Sequence, residues 1–176
     1  LGAMLLNGGG GLAKDEATAF KCFRQSAEWV NPWGMFNLAV CYLYGHGVAV
    51  NHTAAFDWLH KSAAWNNPAA HRMLATRYKD GHGVGKDLGK AYHHFDQAAK
   101  YGDVEALVHL GTMLLDGEYM APTCRVATRA FKLAAERGPW AALLKEGYDA
   151  HSARDPAGSG IRYRLAAEAG DRTGPG

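Results

Sequence analysis

The sequence predicts an all-α protein made of tandem helix pairs, and its composition gives the first two reasons. The 176 residues include 31 Ala and 17 Leu but one Ile and eight Val, a balance that favours close-packed helices over β-sheet. The chain also contains 22 Gly, and glycine is unfavourable inside a helix. We therefore expect the glycines to lie between helices rather than within them.

An internal repeat with a period of 36 residues gives the third reason. Residues 38–47 and 74–83 read LAVCYLYGHG and LATRYKDGHG, residues 110–117 continue the series, and residues 1–8 copy its opening. A fixed period of this length is typical of stacked supersecondary units. We expect four repeats, a degenerate fifth and a short tail, at about 1–37, 38–73, 74–109, 110–146, 147–171 and 172–176.

The first helix of each unit is clearest in the third repeat. Leu74, Ala75 and Tyr78 fall on one face of a helix. Gly81 follows the last turn of this helix, where a residue with positive φ is favoured. Val84 is then expected to insert from the connecting loop into the core.

The second helix of the same repeat is expected to begin after Asp87, whose side chain can cap its first turn. Gly102 is expected to end this helix. The residues that form its buried stripe are Ala91, Phe95, Ala98 and Ala99.

Charge and hydropathy exclude two classes of protein. The formal net charge is +2, with 19 Lys and Arg against 17 Asp and Glu, which argues against a dedicated nucleic-acid binder. The sequence has no apolar run long enough to span a membrane. Because Leu1 already lies in the repeat pattern, we expect the sequence to be an excerpt.

The cysteines indicate free thiols rather than a disulfide framework or a zinc site. Cys22, Cys41 and Cys124 stand at unrelated spacings, and no CxxC pair occurs. Free thiols favour a reducing compartment, the cytoplasm or an organelle interior. The triplet Asn51-His52-Thr53 is a sequon for N-glycosylation and points the other way, to a secretory lumen.

Candidate catalytic and metal-binding residues do not form a known pattern. His46 and His82 occupy equivalent loop positions without a recurring third ligand, and His93-His94 lack the i, i+4 spacing of a helical metal pair. The glycines at 8–11 lack the Lys-Ser/Thr of a phosphate-binding loop. We therefore predict no catalytic residue, no metal and no cofactor.

The pattern L-[GA]-x-x-Y-x-x-G-x-G-V-x-x-D-x-x-K-A-x-x-x-F-x-x-A-A-x-x-G in residues 74–102 resembles the Sel-1-like repeat (SLR), a relative of the tetratricopeptide repeat. The resemblance covers about residues 1–171, with departures at Asn51, where Asp is usual, and at Tyr119-Met120. It implies an α-α superhelix, a right-handed solenoid, that acts as a non-catalytic scaffold or adaptor for other proteins. The alternative is an SLR protein with cofactor-binding or β-lactam-type hydrolase activity, but such members carry regularly paired cysteines.

If tetratricopeptide geometry carries over, the first helices of the repeats line a concave, partner-binding face. Aromatic side chains in the second repeat would then lie beside cationic ones in the third, which suits a peptide with hydrophobic anchors and an acidic group. The predicted partner-binding residues are Trp33, Phe36, Val40, Leu43, Tyr44, Arg72, Thr76, Lys79, Val108 and Thr112.

Two alternatives concern the aromatic residues. Neighbouring repeats could bury Trp33 and Phe36, which would make them core residues rather than partner contacts. Trp29, Trp58 and Trp65 fall in second helices or the turns between repeats, and we expect them to be packing residues.

Overall fold

The computed structural model describes residues 2–8, 11, 13–117 and 124–137. In these residues the secondary structure is entirely helical, which confirms the predicted all-α class. The helices are α1 (Gly2–Asn7), α2 (Glu16–Glu28), α3 (Pro32–Tyr44), α4 (His52–Ala64), α5 (Pro68–Asp80), α6 (Leu88–Lys100), α7 (Val104–Asp116) and α8 (Cys124–Arg137). Tyr119-Met120, the predicted fifth repeat at 147–171 and the tail at 172–176 lie outside the described residues. The repeat boundaries remain a prediction.

The chain divides into two compact units, Leu1–Lys86 and Asp87–Gly176. The first unit contains α1 to α5, and the second contains α6 to α8.

Asx side chains cap the six helices from α2 to α7, each of which has 13 residues. In each cap a side-chain oxygen accepts a backbone N–H two or three residues further on, at 2.9–3.2 Å, which satisfies a donor that the helix itself leaves unpaired. The predicted cap at Asp87 is confirmed, and Asn51 caps α4 in the same way. The capping residues are Asp15, Asn31, Asn51, Asn67, Asp87 and Asp103.

Glycines end the first helices of the repeats, as the composition predicts. Gly81 closes α5 with φ 75°, and its N–H donates to the carbonyl of Arg77. Only glycine adopts this left-handed conformation without steric cost. Gly45 and Gly117 end α3 and α7 in the same conformation.

The turns that precede α3, α5 and α7 also contain one residue with positive φ each. These residues are Val30 (φ 58°), Asn66 (φ 59°) and Gly102 (φ 94°), which stand 36 residues apart. The same backbone turn is therefore made by a β-branched residue, an Asn and a Gly.

The first unit contains two hydrophobic clusters that share partly buried aromatic side chains. Phe23, Leu38 and Cys41 are central to the cluster between α2 and α3. The second cluster joins α3, α4 and α5 through residues such as Leu59 and Leu74, both fully buried. Tyr42 and Trp58 pack against both clusters, and Val84 packs against the second, as predicted.

The second unit is built on the predicted stripe of α6. Ala91, Phe95 and Ala98 are fully buried, and Ala99 is nearly so. Gly111 of α7 lies against the ring of Phe131 in α8, so closely that a Cβ atom at this position would lie 2.6 Å from the ring. The two helices therefore pack in close contact.

The prediction that Trp29 and Trp65 are packing residues is wrong, because they are 75% and 59% exposed. Each follows the last turn of its helix, α2 or α4, as the C-cap residue. The buried stripe of the helix no longer extends to that position. Trp58, within α4, is half-buried against both clusters, and Lys61 Nζ lies 4.2 Å from its ring centre.

Candidate functional site

A cleft with a volume of about 280 Å³ lies between α3 and α5 in the first unit. Helix α3 contributes two aromatic rings, and α5 with its following loop contributes small, apolar and cationic side chains. The lining residues are Phe36, Tyr44, Ala69, Arg72, Met73, Thr76, Arg77 and His82.

The two helices begin in the same way, so that equivalent residues of the repeat occupy equivalent positions along α3 and α5. Each starts with an Asn cap followed by Pro, at Asn31-Pro32 and Asn67-Pro68. Proline suits the first helical position because its fixed φ is already helical. Ser62 Oγ donates to the carbonyl of Pro32 at 2.7 Å, which ties α4 to the start of α3.

One end of the cleft lies in the first two turns of both helices, where Phe36, Ala69 and Met73 are apolar and Arg72 is charged. Phe36 is half-buried against the cluster of α3, α4 and α5. Its ring meets that of Trp33 edge to face, with centres 6.2 Å apart. Trp33 itself is 55% exposed. The alternative that neighbouring repeats bury this tryptophan is therefore wrong.

The other end is cationic and lies where the helices finish. Arg77 Nη2 lies 3.5 Å from Tyr44 Oη, a long contact between α5 and α3 at this end. His82 follows in the loop after α5. None of the eight described side chains that line the cleft is acidic.

Four of the predicted partner-binding residues line this cleft, namely Phe36, Tyr44, Arg72 and Thr76. Val40 and Lys79 are half-buried and lie outside its lining. Thr112 is on α7 in the second unit, where its hydroxyl donates to the carbonyl of His109 at 2.9 Å.

Leu43 and Val108 are core residues rather than surface residues, so their predicted exposure is wrong. Leu43 is 5% exposed and belongs to the cluster that joins α3 to α4 and α5. Val108 is 4% exposed on α7. Both helices are apolar around more of their circumference than the tetratricopeptide pattern assumes. Neither side chain is accessible to a partner.

Sequence reasoning missed Arg77, Met73 and His82. A signal for Arg77 was present, because its equivalents one repeat earlier and later are Cys41 and Met113. These two are 0% and 1% exposed, whereas Arg77 is half-buried. A charged residue at a position that is otherwise part of the core marks a departure from the repeat.

His46 has a partner that the sequence did not indicate. Its Nδ1 lies 3.3 Å from Oε1 of Glu16, which also pairs with Lys14 at 2.9 Å. The hydrogen bond from Lys14 is the main cause that lowers the pKa of Glu16. This contact joins the loop after α3 to the start of α2, and the His46 ring lies 6.1 Å from that of Tyr44, centre to centre.

The described cysteines are free thiols, as predicted for Cys22 and Cys41. Burial, with a smaller contribution from the charge of Glu16, raises the pKa of Cys41 to about 11. A thiol of this kind is a poor nucleophile at neutral pH. The side chain of Cys124 lies outside the described residues.

Two other kinds of feature are absent from the described residues. These residues contain no cluster of three or more His, Cys, Asp or Glu side chains arranged to hold a metal ion. Among the helices in these ranges, none combines the length and the apolar character needed to cross a bilayer.

Comparison with known proteins identifies the repeats. The sequence profile of the Sel1 repeat matches residues 1–28, 34–64, 68–103 and 104–139. No curated protein sequence matches the chain significantly.

Solved structures give the same answer as the profile. The Sel1 repeat protein from Oxalobacter formigenes superposes with a TM-score of 0.80 at 26% identity, over 96% of this chain and 70% of that one. The c5321 protein, a protective antigen of uropathogenic Escherichia coli strains with an SLR fold, superposes with a TM-score of 0.74 at 26% identity. That match covers 95% of this chain and 36% of the antigen. The chain belongs to the Sel1 repeat family and has the helical-repeat, solenoid type of fold found in SLR proteins.

Proposed function

We propose that this chain is a non-catalytic adaptor whose α3–α5 cleft receives a segment of a partner protein. Sel1 repeat proteins are generally protein-interaction scaffolds. The finer step, from the family to this cleft, is supported by the composition of the cleft walls.

The observation that carries the proposal is that aromatic and Arg side chains meet in one concavity. Phe36 and Tyr44 face it from α3, and Arg77 faces it from α5. Tyr and Arg are among the residues that contribute most to protein-binding energy, particularly when they surround a pocket. Trp33 extends the apolar wall beyond the cleft with an exposed ring.

The hydroxyl groups of the cleft favour binding over catalysis. Thr76 Oγ1 donates to the carbonyl of Arg72 at 3.1 Å, and Tyr44 Oη accepts from Arg77. Within the described lining, neither hydroxyl is paired with a general base that could activate it as a nucleophile.

Affinity capture from native material tests the proposal. The full chain, the double variant Trp33→Ala/Phe36→Ala and the control Lys21→Ala, which changes an exposed residue of α2, are compared by quantitative mass spectrometry. We expect at least one protein to be captured by the wild type and by the control but lost from the double variant. Equal capture by all three would contradict the proposal.

A second variant separates binding from folding. Phe36 contacts the core cluster, so the double variant could lose helicity. Arg77→Met changes a half-buried residue to the type found at the equivalent position of α7. Circular dichroism should show unchanged helicity for Arg77→Met, and the same partner should be lost or weakened.

A further inference from the structure

We propose that the segment bound in the α3–α5 cleft is an extended peptide with a bulky apolar side chain and an Asp or Glu about four residues away from it. The inference rests on the proposed function and specifies the chemistry of the partner. Its basis is that three apolar side chains line the cleft towards the starts of the two helices, beside Arg72, whereas Tyr44, Arg77 and His82 line it where the helices end.

The apolar end is formed by Phe36, Ala69 and Met73. Ala69 lies in the first turn of α5, whereas Phe36 of α3 and both Arg72 and Met73 of α5 lie in the second turns of their helices. Ala69 leaves space beside the Phe36 ring, and Met adapts its shape to different apolar partners. This end fits a bulky aliphatic or aromatic side chain.

The cationic end is formed by Arg77, with His82 beside it and Tyr44 opposite. The planar guanidinium of Arg77 can donate two parallel hydrogen bonds to a carboxylate. Its contact with Tyr44 is 3.5 Å long, so a carboxylate at normal hydrogen-bond distance would replace a weak interaction with a stronger one. The phenol of Tyr44 and the imidazole of His82 are further donors within the same wall.

The helix rise sets the spacing between the two groups. At about 1.5 Å per residue, Phe36 and Tyr44 stand roughly 12 Å apart along α3. An extended chain covers about 3.3 Å per residue, so about four residues separate the apolar side chain from the acidic one. Either chain direction satisfies this spacing.

Selection from a random peptide library displayed on phage tests the inference. The baits are the full chain, the variants Arg77→Glu and Phe36→Ala, and the control Lys21→Glu, each checked for helicity by circular dichroism. We expect the wild type and the control to enrich peptides in which Asp or Glu follows or precedes a bulky apolar residue at about this spacing. The reversed charge of Arg77→Glu should lower the affinity for these peptides by about tenfold or more. Selection on this variant should instead enrich peptides with Lys or Arg in place of the Asp or Glu.

The outcomes separate this inference from the proposed function. The inference would be overturned if the selected peptides required Phe36 for binding but showed no preference for Asp or Glu. It would also be overturned if they showed such a preference and Arg77→Glu did not change it. Either result would leave the adaptor role intact. Failure to select any peptide whose binding depends on Phe36 or Arg77 would overturn both. If the natural partner is phosphorylated, the library should show only weak enrichment of Asp or Glu, while a synthetic peptide with a phosphorylated residue at that position should bind strongly. This result would also overturn the assignment of a carboxylate.

Discussion

Helices α3 and α5 occupy equivalent places in consecutive repeats, and they are alike where they build the fold. Both begin with Asn-Pro, both have 13 residues and both end at a left-handed Gly. Leu38 and Leu74 stand at the same position and are 1% and 0% exposed. The same residue types therefore cap both helices and occupy the central buried position of each.

The two helices differ where they face the cleft. Phe36 in α3 corresponds to Arg72 in α5, and Cys41 corresponds to Arg77. Cys41 is fully buried, whereas Arg77 is half-buried and lines the cleft. The same position of the repeat is therefore part of the core in one repeat and part of the surface in the next. The comparison teaches that departures from the repeat, rather than the repeat itself, mark the candidate site.

Substitutions at the equivalent positions Cys41 and Arg77 should show the largest difference in the free energy of unfolding. Cys41→Arg places a charge and a larger side chain in a full core position, and we expect the free energy of unfolding to fall by about 4 kcal/mol or more. Arg77→Met should change it by less than about 1 kcal/mol, because Met is accepted at the equivalent position of α7.

Urea unfolding followed by circular dichroism measures both values. If Arg77→Met destabilised the protein as strongly as Cys41→Arg, Arg77 would be a structural residue, and the interpretation of the pair would fail.

A smaller effect is expected at Gly34 and its equivalent, Ala70. A Cβ atom at Gly34 would lie 2.8 Å from the backbone carbon of Ser26, which cannot move as a side chain could. We expect Gly34→Ala to cost about 1–2 kcal/mol despite the better helix propensity of Ala. Ala70 is fully buried, and Ala70→Gly should cost a similar amount through lost propensity and a lost methyl group.

Thermal and urea unfolding of the two single variants check this prediction. Gly34→Ala and Ala70→Gly are opposite substitutions at equivalent positions, and both should lower the free energy of unfolding. A gain in stability for Gly34→Ala would show that α2 and α3 can separate without loss of packing.

The smallest effect is expected in the turns that precede the two helices. A β-branched residue is strained at the φ of 58° found for Val30, whereas Asn tolerates the same conformation at Asn66. Val30→Gly should raise the free energy of unfolding by about 0.5–1 kcal/mol, and Asn66→Gly should change it by less than about 0.5 kcal/mol. Equal effects of the two substitutions on the urea midpoint would indicate that Val30 is not strained.

The sequence predicted the fold well because the fold depends on local and repeated requirements. Caps, helix ends and buried stripes use recognisable residue types at a fixed period, so Asp87, Gly81 and Phe95 could each be assigned from the repeat. The exposure of a residue at the end of a helix depends instead on where the neighbouring helix stops. For this reason the prediction that Trp29 and Trp65 are packing residues was wrong.

The candidate site was predicted in part. Phe36, Tyr44, Arg72 and Thr76, which were selected by the geometry of related repeats, line the α3–α5 cleft, and their contact with a partner stays a prediction. Leu43 was not, because the burial of a helix face is set by how many helices pack against it, which a pattern from another family does not specify. Arg77 could have been found by comparing each position with its equivalents 36 residues away.

The residues that cap the helices have a consequence for the response to acid. Asp15 and Asp87 cap α2 and α6, and hydrogen bonds lower their pKa values below the ordinary 3.8, chiefly from the hydroxyl of Thr18 and the backbone of Lys90, respectively. A carboxylate with a lowered pKa contributes stability that is present above its unfolded pKa and is lost as the pH falls through its folded pKa. Asn51 caps α4 with an amide that does not titrate. Acidification therefore weakens the starts of α2 and α6 and leaves the cap of α4 unchanged, so second helices that are alike at neutral pH become unequal in acid.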